Sequence, residues 1–424
     1  MAVDSVMQRA REIYDDVVAR GDSAVREFTA KFDGPVLERL SVSPEEIRQS
    51  YDQVKPSQVK AIRLMKDRLS RVELALYKRL QGISVSHDGI RISRTVRPVQ
   101  SVACYVPGGR ARYPSTLVMC AVPAKIAGVK RVVAISPPMK SGSIDPLTMV
   151  AADICGVDEF YKVGGAQGIA AVAAGTESIR PVSKIVGPGG LFVTAAKLLA
   201  SSRVSTDLVA GPTELLVYCD KTTDPRIASL DLISQAEHSP DTVCGIVTTS
   251  EGVARNVIDQ LTSITSSGIE RPDIVSKSIS ENGFAAVCKD VKAAAEFINE
   301  FAPEHLEILS SKPGPLASKV DSAGLILVGP DSASSASDYC LGSNHVLPTL
   351  GFARSRGSLS VLDFLKIINV ATATRAGLLS VEGAIAELTS AEGLPNHYSA
   401  VRERLVQRGK ARRKNPRRSA ATEG

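Results

Sequence analysis

The sequence predicts an α/β protein with two α/β layers and parallel-rich sheets, plus a small helical C-terminal segment. Two observations carry this. Helix and strand patterns alternate through the middle of the chain and do so again from Thr213 to residue 330, the rhythm of βα units. The 424 residues suffice for two or three domains. Their core is aliphatic, because 44% of residues are hydrophobic, only 4% are aromatic, and Trp is absent.

From the N-terminus, Val6, Ile13, Val17, Val18, Val25 and Phe28 recur at helical spacing, with Gly21 as a break. In "SPEEI", Ser43 caps, Pro44 takes the first helical position and acids fill the first turn. The charged stretch that follows reads as helical to residue 80. "GISVSHDGIRISRTVRPVQSVACYVPGG" alternates apolar and polar residues around His87–Gly89, which predicts a hairpin and a further strand. "YPSTLVMCAVPAKIAGV", "SIDPLTMVAADICGV" and "GAQGIAAVAAGT" read as helices, between the strands "KRVVAISPP", "EFYKVG" and "VSKIVGPGG". The second run sets strands "ELLVYCD", "TVCGIVTTS" and "AGLILVGP" beside helices "PRIASLDLISQAEHS" and "EGVARNVIDQLTS". "SVEGAIAELTSAEGLPNHYSAVRERLVQRG" is helical, interrupted at Gly393–Pro395.

The net charge of +6 is uneven. Residues 408–418, "RGKARRKNPRR", hold seven basic side chains, and six minus seven leaves the rest at about −1. Such a tail attracts nucleic acid or acidic surfaces, but it lacks base-stacking aromatics and reads as a solvated, disordered terminus. The seven Cys are widely spaced without a C-x-x-C, as in a reduced cytoplasmic protein. The N-terminus reads as an amphipathic helix rather than a signal peptide, and no run is long enough to span a membrane.

The His residues number five: 87, 238, 305, 345 and 397. His87 is a turn residue. "QAEH" offers Gln235 and His238 three apart, on one helical face; taken alone it reads more readily as a polar helix end before Ser239–Pro240. In "NEFAPEHLEIL", Glu304 and His305 follow Pro303 at an expected helix start, a carboxylate and an imidazole suited to proton transfer near neutral pH. "SDYCLGSNHVLPT" supplies Asp338 and His345, and "AEGLPNHYSAV" supplies Glu392 and His397. Gln235, His238, Asp338 and His397 would make a mixed oxygen and nitrogen set suited to Zn²⁺, and also to Mn²⁺ or Co²⁺. Gly-rich turns at 106–110, 163–168 and 186–190 fall short of a dinucleotide fingerprint and fit ordinary βα turns.

Taken together these motifs resemble the histidinol dehydrogenase family from about residue 5 to 408. The resemblance is carried by "ARGDSAVREFTAKFDG", "YVPGGRARYPSTLVM", "VGGAQGIAAVAAGT", "KIVGPGG", "AGPTELLV", "SQAEHSPD", "FAPEHLEI", "DYCLGSNHVLPT" and "EGLPNHYSAV". It implies oxidation of L-histidinol to L-histidine through L-histidinaldehyde with two NAD⁺, closing histidine biosynthesis. It implies a homodimer with shared active sites. It also implies one Zn²⁺ per subunit on Gln235, His238, Asp338 and the second subunit's copy of His397. Glu304 and His305 match the acid/base pair. Thr213, His345 and Glu392 match substrate contacts, alongside the ligands and His305, and Tyr105, Gln167 and Gly190 match cofactor contacts.

The resemblance implies two incomplete Rossmann-like domains, residues 1–104 with 215–359, including the N-terminal helices, and the NAD-contacting 105–214. A helical segment, 360–408, would reach the partner subunit, and 409–424 would be a disordered basic tail. Three departures from the family stand out: Gly190 in place of Asn, Ser334 in place of Glu, and no N-terminal arm before the first helix. Two other readings follow: a relative oxidising another small amino or sulfonated alcohol, and a nucleic-acid-associated protein acting through its tail.

Overall fold

The computed structural model describes residues 2–80, 82–108, 112–207 and 211–413. The chain begins with four helices, α1 (Ala2–Arg20), α2 (Asp22–Asp33), α3 (Pro44–Ser50) and α4 (Pro56–Tyr77). A hairpin follows, β1 (Ile83–His87) and β2 (Ile90–Pro98). The first βα run is β3 (Ser101–Tyr105), α5 (Pro114–Ala127), β4 (Arg131–Ile135), α6 (Pro146–Cys155), β5 (Glu159–Tyr161), α7 (Gly165–Ala174), β6 (Lys184–Val186), α8 (Leu191–Ala200) and β7 (Ser205–Thr206). The second is β8 (Glu214–Cys219), α9 (Pro225–Ala236), β9 (Val243–Thr248), α10 (Glu251–Ser266), α11 (Pro272–Asn282), β10 (Phe284–Val287), α12 (Val291–Phe301), β11 (His305–Leu309), α13 (Gly314–Ala317), β12 (Leu325–Val328) and α14 (Ser334–Ser337). The chain ends with β13 (Leu365–Ala373), α15 (Arg375–Ala391) and α16 (Pro395–Arg413).

The chain divides into two units, one of residues 1–77 with 98–364 and one of residues 78–97 with 365–424. The larger unit holds two five-stranded sheets, ordered β5-β4-β3-β6-β7 and β10-β9-β8-β11-β12. All their pairings are parallel. Each sheet starts in its middle, grows to one edge and then reverses. The reversals fall between β3 and β6 and between β8 and β11. Residues of β3, β8 and β11 are buried throughout, as expected of strands in the middle of parallel sheets covered on both faces.

Local chemistry sets the helix starts. Ser43 and Glu46 form the capping box of α3, at 3.2 and 2.8 Å. Asp145, Asp224 and Asp290 cap α6, α9 and α12 with their side chains.

The N-terminal helices do not join the second sheet as the sequence reading expected. Ala10, Val17, Ala24 and Val25 pack in one core with Ala103, Val133, Ile169 and Ile185 of the first sheet and its helices. Periodicity shows which helix face is apolar, but not which sheet it covers. The expected boundary at 104/105 also falls inside β3, all of whose residues are buried in the first sheet.

In the smaller unit, β1 and β2 pair antiparallel from Ile83↔Arg94 to His87↔Ile90. The two turn residues have positive φ, Asp88 at 47° and Gly89 at 78°, the twist a two-residue hairpin needs. β13 joins this sheet beside β2. Residues 360–408 are therefore not wholly helical: "LKIINVATA" is rich in β-branched residues and forms a strand. α15 and α16 pack together, and Gly393 with φ of 69° makes the break between them. α16 runs to Arg413, so the tail expected from 409 begins as helix. Its remainder, 414–424, lies outside the described residues, and with it most of the nucleic-acid reading.

Candidate active site

Glu304 and His305 stand at the amino end of a strand, not at the helix start the sequence suggested. Ala302 ends α12 in the left-handed region with φ of 53°, and Pro303 follows. The buried run 305–309 then pairs with β8 and β12. Glu304 is clasped to Glu214 at the start of β8. The Glu214 N–H donates to Glu304 Oε2 at 2.9 Å, and the Glu304 N–H donates to Glu214 Oε2 at 3.2 Å. Glu214 Oε1 accepts from the Leu350 N–H at 2.9 Å.

His305 lies between two carboxylates, its Nδ1 3.7 Å from Glu304 Oε2 and its Nε2 3.7 Å from Asp338 Oδ1. These are ion-pair distances, too long for hydrogen bonds, and both buried ring nitrogens lack a partner. Burial alone would lower the His305 imidazole, but the two carboxylates outweigh it and hold it above its ordinary value. Burial pushes Glu304 up to about 7, against the pull of His305 and the Glu214 N–H. Glu304 is thus poised near neutrality, where an acid/base group works best.

Asp338 caps the C-terminal end of α14. Burial would raise its carboxyl, yet His305, His345 and His238 hold it below the usual carboxylate range. His345 donates from Nδ1 to the Asp338 carbonyl at 2.7 Å, which leaves Nε2 as the acceptor, 3.5 Å from Thr116 Oγ1. Burial pushes the His345 imidazole down and so favours this neutral form.

Gln235 belongs to the buried face of α9 with Ala228, Asp231 and Leu232. It is 2% exposed. No hydrogen bond to its side-chain amide forms among the described residues. His238 follows the C-cap Glu237, with its N–H on the Gln235 carbonyl at 3.2 Å, and its ring is exposed. Thr213 precedes β8 half-buried, its carbonyl accepting from Val243 at 2.9 Å.

Sequence reasoning missed a second buried acid pair. Glu307, two residues along β11 from His305, lies against Asp231, one helical turn before Gln235. Glu307 Oε1 accepts from the Ser334 N–H at 2.5 Å, and Asp231 Oδ2, Glu307 Oε2 and Ser334 Oγ are buried without partners. Burial and mutual repulsion raise Glu307, and burial raises Asp231. The cluster joins α9, β11 and α14, the three elements that present Gln235, His305 and Asp338. Its signal in the sequence is a charged residue two after His305 in an otherwise apolar strand.

Among the described residues no three His, Cys, Asp or Glu side chains converge closely enough to hold a metal ion. Gln235, His238 and Asp338 belong to the larger unit, while Glu392 and His397 belong to the smaller one, both exposed. The donor chemistry nonetheless fits Zn²⁺: one carboxylate kept ionised by imidazoles, and a neutral amide on a buried residue.

The residues matched to a cofactor lie at the carboxyl end of the first sheet. Tyr105 ends β3, and its hydroxyl accepts from the Gly165 N–H at 3.2 Å. Gly187 follows β6 with φ of 112°, and a Cβ there would stand 2.2 Å from the Tyr105 carbonyl oxygen. Only glycine fits. The turn is braced by Asp207, which accepts from the Gly187 N–H at 2.6 Å, and by Lys197, which donates to its carbonyl at 2.7 Å. Gln167 is buried in the first turn of α7. Gly190 is the N-cap of α8, and a Cβ there would meet nothing within 4 Å. A side chain at this position would therefore not reshape the turn. Gln167 lines a cavity of about 220 Å³ with Ile13, Phe32, Asp33, Gly165, Ala166 and Phe192.

Comparison with known proteins gives one answer. The family model described as histidinol dehydrogenase matches residues 1–405. The chain is 42% identical to the histidinol dehydrogenase of Methanopyrus kandleri over 95% of each chain. It is 40% identical to that of Methanothermobacter thermautotrophicus, covering 95% of this chain and 94% of the relative. The crystal structure of histidinol dehydrogenase from Elizabethkingia anophelis superposes with a TM-score of 0.89 at 32% identity, covering 94% of this chain and 92% of that one. Its sequence, its paired parallel sheets and these matches place the chain in the histidinol dehydrogenase family, and it is an NAD-dependent oxidoreductase of histidine biosynthesis.

Proposed function

We propose that the chain oxidises L-histidinol to L-histidine through L-histidinaldehyde, using two NAD⁺, and that the constellation around His305 carries out the proton transfers. The observation that carries this reading is His305 itself, with both ring nitrogens buried, unpartnered and 3.7 Å from a carboxylate. In the first oxidation His305 takes the alcohol proton as the hydride leaves carbon. In the second, Glu304 takes a proton from the water that adds to the aldehyde. Its value of about 7 suits a base that must also release that proton. NAD⁺, when bound, accepts the hydride.

Gln235, His238 and Asp338 would hold Zn²⁺ together with His397 of a second copy. Zn²⁺, when bound, fixes and orients the imidazole and amine of the substrate. A neutral Gln235 leaves Asp338 as the single protein anion, so the site retains affinity for neutral nitrogen donors. Thr213, His345 and Glu392 would contact the substrate. His345 fits because its ring is already fixed in one tautomer by the Asp338 carbonyl. Tyr105, Gln167 and Gly190 would contact NAD⁺, on the 105–214 part of the chain.

The shared site requires a homodimer. The smaller unit supports this: Ile367, Ile368 and Val370 on β13 and Leu388 on α15 are exposed apolar side chains, an arrangement expected of a surface that a second copy covers. The described cysteines are all unpaired, in keeping with a cytoplasmic enzyme. Steady-state assays with L-histidinol and with other amino and sulfonated alcohols test the substrate. Turnover of histidinol well above the others is expected, and its absence would remove the reading in favour of a related alcohol.

A further inference from the structure

The cavity on the first sheet contains one group with no role in the reading above. Its wall includes the first turn of α7, which follows β5, and Phe192 in the first turn of α8, which follows β6. It therefore adjoins the carboxyl side of the sheet whose strand order reverses between β3 and β6, where open parallel sheets take nucleotides. Ile13, Phe32 and Phe192 give it apolar walls, suited to the face of a base. Asp33, the last residue of α2, is the one ionisable side chain among the lining residues. Its Oδ2 is buried and has no hydrogen-bond partner. The helix end does not use it: the N–H of Gly34 returns to the Thr29 carbonyl through the backbone alone. Lys31 lies over the Phe32 ring, 5.6 Å from its centroid, and is not among the lining residues.

A buried carboxylate oxygen without a donor is costly, so a ligand that brings a hydroxyl to it gains from doing so. A carboxylate has two acceptor oxygens in one plane and matches a vicinal diol. The same group repels a phosphate, and an apolar wall screens that repulsion poorly. Among the described residues no Lys or Arg lines the cavity to receive a phosphate.

We infer that Asp33 selects NAD⁺ over NADP⁺, its carboxylate accepting from the ribose hydroxyls of the adenosine half and excluding a 2′-phosphate. This rests on the reading that NAD⁺ binds over the first sheet. Phe32 and Phe192 then flank the adenine, and the N–H groups of α7's first turn face the polar part of the cofactor.

The test is steady-state kinetics of the zinc-loaded enzyme with saturating L-histidinol and varied NAD⁺ or NADP⁺. It compares wild type with Asp33→Asn, Asp33→Ala and Gln167→Ala. Asp33→Ala should lower kcat/KM for NAD⁺ by roughly tenfold and raise it for NADP⁺. Asp33→Asn should keep part of the NAD⁺ activity while also admitting NADP⁺. The KM for histidinol should stay as in wild type and the melting temperature without cofactor should not fall below it, because the lost oxygen has no protein partner and is costly to bury. If Gln167→Ala raises the KM for NAD⁺ while Asp33→Ala leaves the NAD⁺/NADP⁺ ratio unchanged, the cofactor placement stands and the role of Asp33 is overturned. If neither variant changes the KM for NAD⁺, the placement fails and the inference falls with it. Equal losses with both cofactors, together with a lower melting temperature, would make Asp33 structural and overturn its selectivity role.

Discussion

His305 is held by its surroundings rather than by hydrogen bonds. Two carboxylates set its charge, and strand β11 sets its position. His305→Asn should therefore slow both oxidations by roughly 10²–10⁴-fold, the usual worth of a positioned base. Zinc content, measured by atomic emission, should stay at one per subunit, and a parallel loss of zinc would make His305 a ligand instead. Glu304→Gln should slow oxidation of supplied histidinaldehyde by roughly 10²-fold and alcohol oxidation far less. Equal slowing of both half-reactions would remove the water-activation role. The residues proposed as catalytic, Glu304 and His305, and as ligands, Gln235, His238 and Asp338, were legible in the sequence because three of its five His sit in short, distinctive motifs that resemble those of one family. Asp33, Asp231, Glu214 and Glu307 were not. Carboxylates are common, and only the fold shows that these four have buried oxygens.

At the scale of elements, the order of helices and strands was legible wherever apolar period and breakers agreed, as in α5 to α8. It failed at two places for one physical reason. "EHLEIL" and "LKIINVATA" are short apolar runs, and periodicity alone does not separate a buried strand from a helix turn. Pairing partners far along the chain decided both, β8 and β12 for one and β2 for the other.

The buried acids of β8, β9's neighbour helix α9 and β11 also have a thermodynamic consequence. Glu304, Glu307, Glu214 and Asp231 are all raised above their ordinary values, chiefly by burial. The folded protein holds protons that the unfolded chain has already released. The stability they contribute is full below about pH 4.5 and is lost as pH rises through about 7. Glu304 alone accounts for on the order of 3 kcal/mol over that range. His345 is lowered and acts in the opposite sense as pH falls. Metal-free protein should therefore melt at a lower temperature at pH 8 than at pH 5.5, with a smaller difference in Glu304→Gln. A melting temperature that rises over the same interval would contradict the burial of these acids.

For the whole molecule, the two sheets use opposite edges. The first presents the residues matched to NAD⁺ at its carboxyl edge, and the second presents Glu304, His305 and Glu214 at its amino edge. His397 and Glu392 are exposed on the smaller unit, and the proposal has a second copy supply them to the site. Mixed dimers of His305→Asn and His397→Ala subunits should regain activity that neither homodimer has, because one of their two sites would be intact. No recovery would place His397 in its own subunit's site. The most direct test of the central claim is the amount of NADH and L-histidine formed from a limiting quantity of L-histidinol. Two NADH and one histidine per histidinol are expected. One NADH with histidinaldehyde as the product, or no NADH at all, would contradict a site that performs both oxidations.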